Sequence, residues 1–246
     1  MRLFVFLLFL SIVSIQPSAA EMDSAKNVST TKAKLKLTSR VHSLGYFSYT
    51  GRIISDNPAV DFNFNYERKN WGLLVFKAQD LRDHNSSNNF ALAMFYKTLP
   101  VGKRFIITPY FGAVLDQSRS IADKGSDVIG ILTTAFKVHP HFTIDNSIIF
   151  SDLMLERRSL DWVNRLRFLY VKNHLDLTLL LWHNNKIFDS SGYFSGGLHL
   201  AFSRLRVSSR IDLGIGLTGV VMMQSSDRQA YPKKNGLLFS MSVVLH

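Results

Sequence analysis

The chain has 246 residues, of which 46% are hydrophobic, 19% charged and 12% aromatic, with 19 Phe, 8 Tyr, 3 Trp and no Cys. The lack of cysteine excludes disulfides, thiolate metal sites, a cysteine nucleophile and a lipid-modified N-terminal cysteine. The formal net charge of +11 favours anionic lipid, lipopolysaccharide or anionic solutes as partners, whereas nucleic acid is not expected, because the basic residues are scattered and no nucleic-acid motif is present.

The N-terminus opens with the minimal positive region Met1-Arg2, an apolar run from Leu3 to Val13, and the small residues Ser18-Ala19-Ala20. This is the pattern of a secretory signal peptide over residues 1–20, cleaved after Ala20. The apolar run is short for a membrane anchor, which needs about 20 residues. Residues 21–43 are rich in Ser, Thr and Lys and are read as a flexible periplasmic N-terminal arm.

From Leu44 onward no stretch has the length of a transmembrane helix, and apolar residues recur with period two. Val60, Phe62, Phe64 and Tyr66 alternate with Asp61, Asn63, Asn65 and Glu67. Phe142, Ile144, Asn146, Ile148 and Phe150 alternate with Thr143, Asp145, Ser147, Ile149 and Ser151. The same holds over Phe194–Phe202 and Ile211–Leu217. Such runs suit tilted membrane-crossing strands of about 9–11 residues. Strands are expected at 44–54, 58–67, 71–80, 88–98, 103–115, 126–138, 141–151, 160–171, 174–183, 192–203, 206–221 and 236–246. Their connections alternate between short links, such as Arg68–Asn70 and His139–Pro140, and long ones, such as Asp116–Gly125 and Met222–Asn235. Ser55-Asp56-Asn57 breaks the series by being short. Short periplasmic turns alternating with long outer loops are characteristic of an outer-membrane barrel. Tyr66, Tyr96, Phe105, Phe136, Phe142, Tyr170 and Phe202 lie beside short turns on the apolar face, as an interfacial aromatic belt would. A soluble β-sandwich is the competing explanation, since aromatic residues are common in any strand.

The terminal strand runs Gly236–His246. Leu237, Phe239, Met241, Val243 and Leu245 share one face, so its edge must be paired or covered, and barrel closure does this. The expected fold is therefore all-β: an antiparallel up-and-down transmembrane β-barrel of about 12 strands over residues 44–246. Signal peptide, strand spacing, loop alternation and terminal strand together resemble the small twelve-stranded porin-like barrels of Gram-negative outer membranes, of the nucleoside-channel, oligogalacturonate-channel and TorF-like kinds. The opening segment Gly45–Tyr66, with Tyr-Thr-Gly-Arg followed by Asp-Asn-Pro-Ala-Val, is most similar to the TorF-like ones. The resemblance implies insertion by the barrel assembly machinery. Such barrels usually end in an aromatic residue, where this chain has Leu245-His246.

An inward face in such a barrel would collect Arg104, Asp145, Arg165, Arg167, Asp176, His199, Arg210 and Asp212, along with Lys97. Arg165 and Arg167 are two apart and so point the same way, and arginine forks attract carboxylates and phosphates. Asp145 and Asp176, on flanking strands, are placed to pair with them. These residues suggest a porin-like passive channel for small hydrophilic solutes, with a mild preference for anionic ones. A closed-lumen structural or interaction protein is the alternative. A lipid-modifying enzyme is the third reading, for which His199 and Ser203 share a face without any nucleophile motif. His139-Pro140-His141 is a poor metal-ligand set. No catalytic residue, metal or cofactor is expected, and localisation is expected in the bacterial outer membrane.

Overall fold

The computed structural model describes residues 33–47, 51–82, 89–116, 128–151, 161–186, 191–229, 231 and 234–246. The expected signal peptide lies outside them. The described elements are all strands: β1 (Lys34–His42), β2 (Gly45–Phe47), β3 (Arg52–Ser55), β4 (Ala59–Arg68), β5 (Trp71–Asp80), β6 (Phe90–Lys97), β7 (Leu99–Val101), β8 (Phe105–Asp116), β9 (Ile129–His139), β10 (Phe142–Ser151), β11 (Asp161–Lys172), β12 (Leu175–Lys186), β13 (Gly192–Ser208), β14 (Ile211–Ser225) and β15 (Gly236–Leu245). Each long strand pairs antiparallel with its sequence neighbour, and β1 pairs with both β4 and β15. β6 also pairs with β8, so the sheet closes into a barrel of twelve strands. The short β7 pairs with β8 at the rim. Closure leaves no sheet edge, the condition for backbone amides to cross hydrocarbon.

Two expectations about the first strand are corrected. Residues 34–42, placed in a flexible arm over 21–43, form the wall strand β1; residues 21–32 lie outside the described residues. The segment read as a first wall strand over 44–54 is instead a separate hairpin, β2–β3. Leu35, Leu37 and Val41 do alternate with Lys36, Thr38, Arg40 and His42 along β1, but Ser39 interrupts the apolar face. Ser39 is nonetheless covered between Phe62 and Val243. With β1 in place, the link from His42 to Ala59 is long and carries the hairpin. The alternation of long and short connections is then unbroken, and both ends of the barrel lie on the short-turn side.

The turns are tight, and two place a non-glycine residue in the left-handed region, Lys69 at φ 57 and Asn173 at φ 54. Asn tolerates this because its short polar side chain bonds locally. A third such residue, Arg204 at φ 57, lies not at a turn, as the link expected at Arg204–Leu205 would require, but within β13. The β13–β14 pairing shifts register between Phe202 and Leu205, the mark of a bulge. The true turn follows Ser208.

The outer wall is an apolar band. Leu198, Leu213, Ile215, Leu217, Phe239 and Met241 are among its exposed large side chains. Aromatic side chains mark its two rims. Phe142 and Tyr170 lie at the short-turn end, and Phe150 and Trp162, with ring centroids 5.9 Å apart, lie at the loop end. One member of the expected belt is reversed. Tyr96 points into the lumen, where its hydroxyl donates to Asn65 Oδ1 at 2.8 Å. Its ring occupies the space that a Cβ on Gly72 would need. Lys97, expected inside, therefore faces outward, with its ammonium 4.8 Å from the Trp71 ring centroid. This suits the membrane rim, where a long cation can reach water past an aromatic neighbour.

An outward apolar wall makes a simple prediction. Leu217→Arg, on the outer face in the middle of β14, costs about 2–4 kcal/mol of folding stability, the cost of an arginine near the bilayer midplane. Ser208→Arg, exposed at the end of β13, costs little. Urea titration of each variant folded into liposomes measures the difference, and equal stability of the two would contradict a membrane-facing wall.

Candidate functional site

The lumen divides into two halves. Toward the loops it is filled by apolar side chains from opposite sectors of the wall. Leu74 and Phe76 of β5, Leu92 and Met94 of β6, and Leu180 and Trp182 of β12 belong to one buried cluster. Toward the short turns it holds a cavity of about 850 Å³, running from a rim lined by Lys34, Glu67, Arg206 and His246 to a floor of Tyr46, Leu180, Trp182 and Leu238. Seven Lys and Arg and four acidic side chains line this cavity, and Asp61 lies against Arg40, so its field is still net positive.

The hairpin β2–β3 forms much of the floor. β5 and β12 stand six places apart in the ring of twelve, on opposite sides of the barrel, and the hairpin approaches both. A Cβ built on Gly45 would lie 2.9 Å from an Asp80 carboxylate oxygen of β5, and one on Gly51 would enter the indole of Trp182 on β12. Gly51 also has φ +64, a conformation that glycine adopts without strain. Ser195 Oγ donates to the Gly51 carbonyl at 2.9 Å. Ile53 packs with Val220 and Leu238. The Arg52 guanidinium lies 5.4 Å from the Tyr193 ring centroid and 4.9 Å from that of Tyr231, which fastens the hairpin tip to the loop side of β13 and the segment after β14. Burial pushes the Tyr46 phenol up, so Tyr46 stays a neutral hydroxyl beside the cavity.

The sequence-derived site residues separate in this frame. Asp145, Arg165, Arg167, Asp176, His199 and Asp212 line the cavity. Arg104 and Arg210, expected beside them, are exposed in the turns before β8 and β14; strand parity was carried past the end of the strand, where it no longer holds. Arg167 Nε and Nη2 donate to the two Asp145 oxygens at 2.8 and 2.6 Å, a buried bidentate pair. Arg165 donates to Ser147 Oγ at 2.8 Å. Asp176 does not pair with either arginine; it accepts from Arg204 at 2.7 Å and from Ser203. His199 Nδ1 bonds Thr218 Oγ1 at 2.7 Å. His199 and Ser203 are thus each engaged elsewhere and do not form a nucleophile–base pair. Asp212 accepts from the terminal His246 at 2.9 Å, a partner that a terminal Phe would not supply.

The sequence reading missed one cluster because β1 was not recognised. Arg40 Nε donates to Asp61 Oδ1 at 2.9 Å, His42 Nε2 to Asp61 Oδ2 at 2.8 Å, and His42 Nδ1 faces Ser240 Oγ at 2.7 Å. Because a carboxylate only accepts, Nε2 carries the proton, and Ser240 donates to Nδ1 of the neutral ring. The chain of groups has the order of a hydrolytic triad, but His42, Asp61 and Ser240 are only 4%, 3% and 7% exposed, and Arg40 ties down the carboxylate. It spans β4, β1 and β15, and so fixes the barrel's closing seam from within.

No family model and no curated protein matches the chain. Among solved structures it is similar to the NanC porin, with 9% identity and a TM-score of 0.54, over 87% of this chain and 100% of that one. The fold is that of an outer-membrane porin-like barrel. The chain also aligns with OmpT, an outer membrane protein of Vibrio cholerae, at 8% identity and a TM-score of 0.39, over 87% of this chain and 96% of that one.

The buried Asp145–Arg167 pair generates a test of lumen energetics. Asp145→Ala leaves a guanidinium without its carboxylate and is expected to cost about 3–5 kcal/mol, whereas Asp145→Leu with Arg167→Met is near neutral. Unfolding titrations of the two variants distinguish this from a pair that water already screens, for which both changes would be small.

Proposed function

We propose that the protein is a bacterial outer-membrane barrel that admits small anionic solutes to its lumen and restricts their passage at the β2–β3 hairpin. The observation that carries this reading is the polar, net-positive half-lumen ending at a hairpin that crosses from β5 to β12. Rings of basic side chains are how pores favour anions, and twelve strands leave more room than the eight that side chains alone can fill. On this reading the short turns and both barrel ends face the periplasm, and residues 1–20 direct export. Membrane lipid and lipopolysaccharide surround the wall, and the assembly machinery engages the terminal strand. Because Arg167 is neutralised by Asp145 and Arg204 by Asp176, the preference for anions is modest.

A closed-lumen structural or interaction protein is the second reading. It is favoured by the apolar cluster, in which Phe76, Leu92, Met94 and Trp182 are almost wholly buried. Planar-bilayer recording separates the two. The intact chain is expected to give small, anion-preferring conductance steps, and replacing residues 45–55 by a short Gly-Ser link is expected to raise the step several-fold. Reversal potential in a salt gradient gives the preference. Silence of both proteins would support the closed lumen, and equal conductance would remove the hairpin from the pathway.

A further inference from the structure

Besides the covered Ser39 of β1, the described residues of the outer wall carry a polar stripe that begins well inside the rims. Asn146 of β10 lies four residues from Phe142 and four from Phe150, midway between the aromatic residues that mark the two rims. Asn164 of β11 also faces outward, and Asn146 Nδ2 donates to Asn164 Oδ1 at 2.7 Å. Strand register extends the feature on both sides. Thr134 of β9 stands opposite Asn146, and His183 of β12 stands opposite Asn164. All four side chains have outward parity, so they form a stripe across four adjacent strands. Asn164 and His183 are exposed.

The amide–amide bond leaves Asn146 Oδ1 and Asn164 Nδ2 without partners among the described residues. In hydrocarbon no water satisfies them, and each unsatisfied polar group is costly. Leucine at these positions would be the simple solution, as at Leu198, Leu213 and Leu217 elsewhere on the wall. We infer that the Thr134–Asn146–Asn164–His183 stripe is the contact surface for a second copy of this chain in the membrane. The stripe is complementary to itself. Each amide has a donor and an acceptor, the hydroxyl and the imidazole can each do both, and no net charge opposes contact. In a two-fold interface each surface meets its own image, and with the axis along the membrane normal through the Asn146–Asn164 bond these two amides face their counterparts at the same depth. Amides and hydroxyls act as such contacts between membrane segments. Leu132 and Phe150, both exposed and adjacent to the stripe, supply the surrounding apolar contact.

The inference rests on the barrel being membrane-embedded, and the test keeps the two apart. The native chain has no Cys, so single cysteines report on contact directly. Asn164→Cys in liposomes is expected to give a covalent dimer with a short bifunctional thiol reagent. Phe64→Cys, on the wall strand β4 six places around the ring from β11, is expected to give background only. Replacing Asn146, Asn164 and His183 together by Leu is expected to raise the protein-to-lipid ratio needed for half-dimerisation at least tenfold, while leaving the folded monomer as resistant to urea or more so. Equal crosslinking at the two cysteines, or dimerisation unchanged in the Leu variant, would overturn the inference. So would crosslinking of Asn164→Cys to a different protein when the experiment is repeated in native membranes. An inserted chain that stays monomeric overturns the pairing alone; a wild-type chain that does not insert overturns the membrane reading as well.

Discussion

The structure depends on closing the sheet between its first and last strands. In hydrocarbon every backbone N–H and C=O must be paired, so a barrel with one open edge is not a viable membrane structure. β1 meets this demand with a strand of modest hydrophobicity. Its outward residues are Leu35, Leu37, Ser39 and Val41, and it takes part in two ladders, nine residue pairs with β4 and six with β15. Inside the seam, His42 joins Asp61 to Ser240, and Arg40 holds the same carboxylate. Charged groups are tolerable here because they face the lumen and each other. The same residues with opposite parity would face lipid, and register by one residue decides between the two.

Closure at this place also determines the division of the lumen. The inward residues of β1, β4 and β15 are mostly polar, and they line the short-turn half together with the inward faces of β10, β11 and β13. The inward residues of β5, β6 and β12 are large and apolar beyond that half, with Leu74, Phe76, Leu92, Met94, Leu180 and Trp182 in one cluster. The hairpin between β1 and β4 occupies the boundary. It contributes Ile53 to the small apolar group with Val220 and Leu238, and it sets Gly51 under Trp182. The basic cavity is consequently a pocket with a floor rather than a uniform bore, and its solute preference is set by side chains on the short-turn side of that floor.

Much of the wall was legible in the sequence, and where it was not the physical reason is specific. β14 alternates cleanly between lipid-facing and lumen-facing residues, and β10 does so apart from Asn146 outside and Ile149 inside, so their parity and the inward placement of Asp145 and Asp212 follow from period two. β6 reads Phe-Ala-Leu-Ala-Met-Phe-Tyr-Lys, apolar on both faces, and alternation cannot choose its parity; the Asn65 acceptor and the space beside Gly72 do so. Arg104 and Arg210 were misplaced because turns do not continue strand parity. β1 was missed because Lys and Ser dominate its neighbourhood, although the short link at Ser55-Asp56-Asn57 was a sign that the segment before it is not a wall strand. The pairing of Asp176 with Arg204 depends on the β13 bulge, which no local pattern announces.

The position of the hairpin follows from the same register. His42 and Ala59 are opposite one another where β1 and β4 end, so residues 43–58 leave the wall and return to it at one level. Both departures are fastened to neighbouring wall segments, Ser43 N to Phe239 O and Leu81 N to Pro58 O, each at 2.9 Å. The wall is therefore complete without the hairpin. What keeps the hairpin in the lumen is a separate set of contacts: Ser195 with the Gly51 carbonyl, Ile53 with its apolar neighbours, and Arg52 against two tyrosine rings. None of these bonds belongs to the barrel ladder. Displacing the hairpin breaks these contacts and others like them, such as Lys234 with Asp56 and Ile54 against the central apolar cluster, but leaves closure intact, so the element that divides the lumen is energetically separable from the element that makes it a barrel.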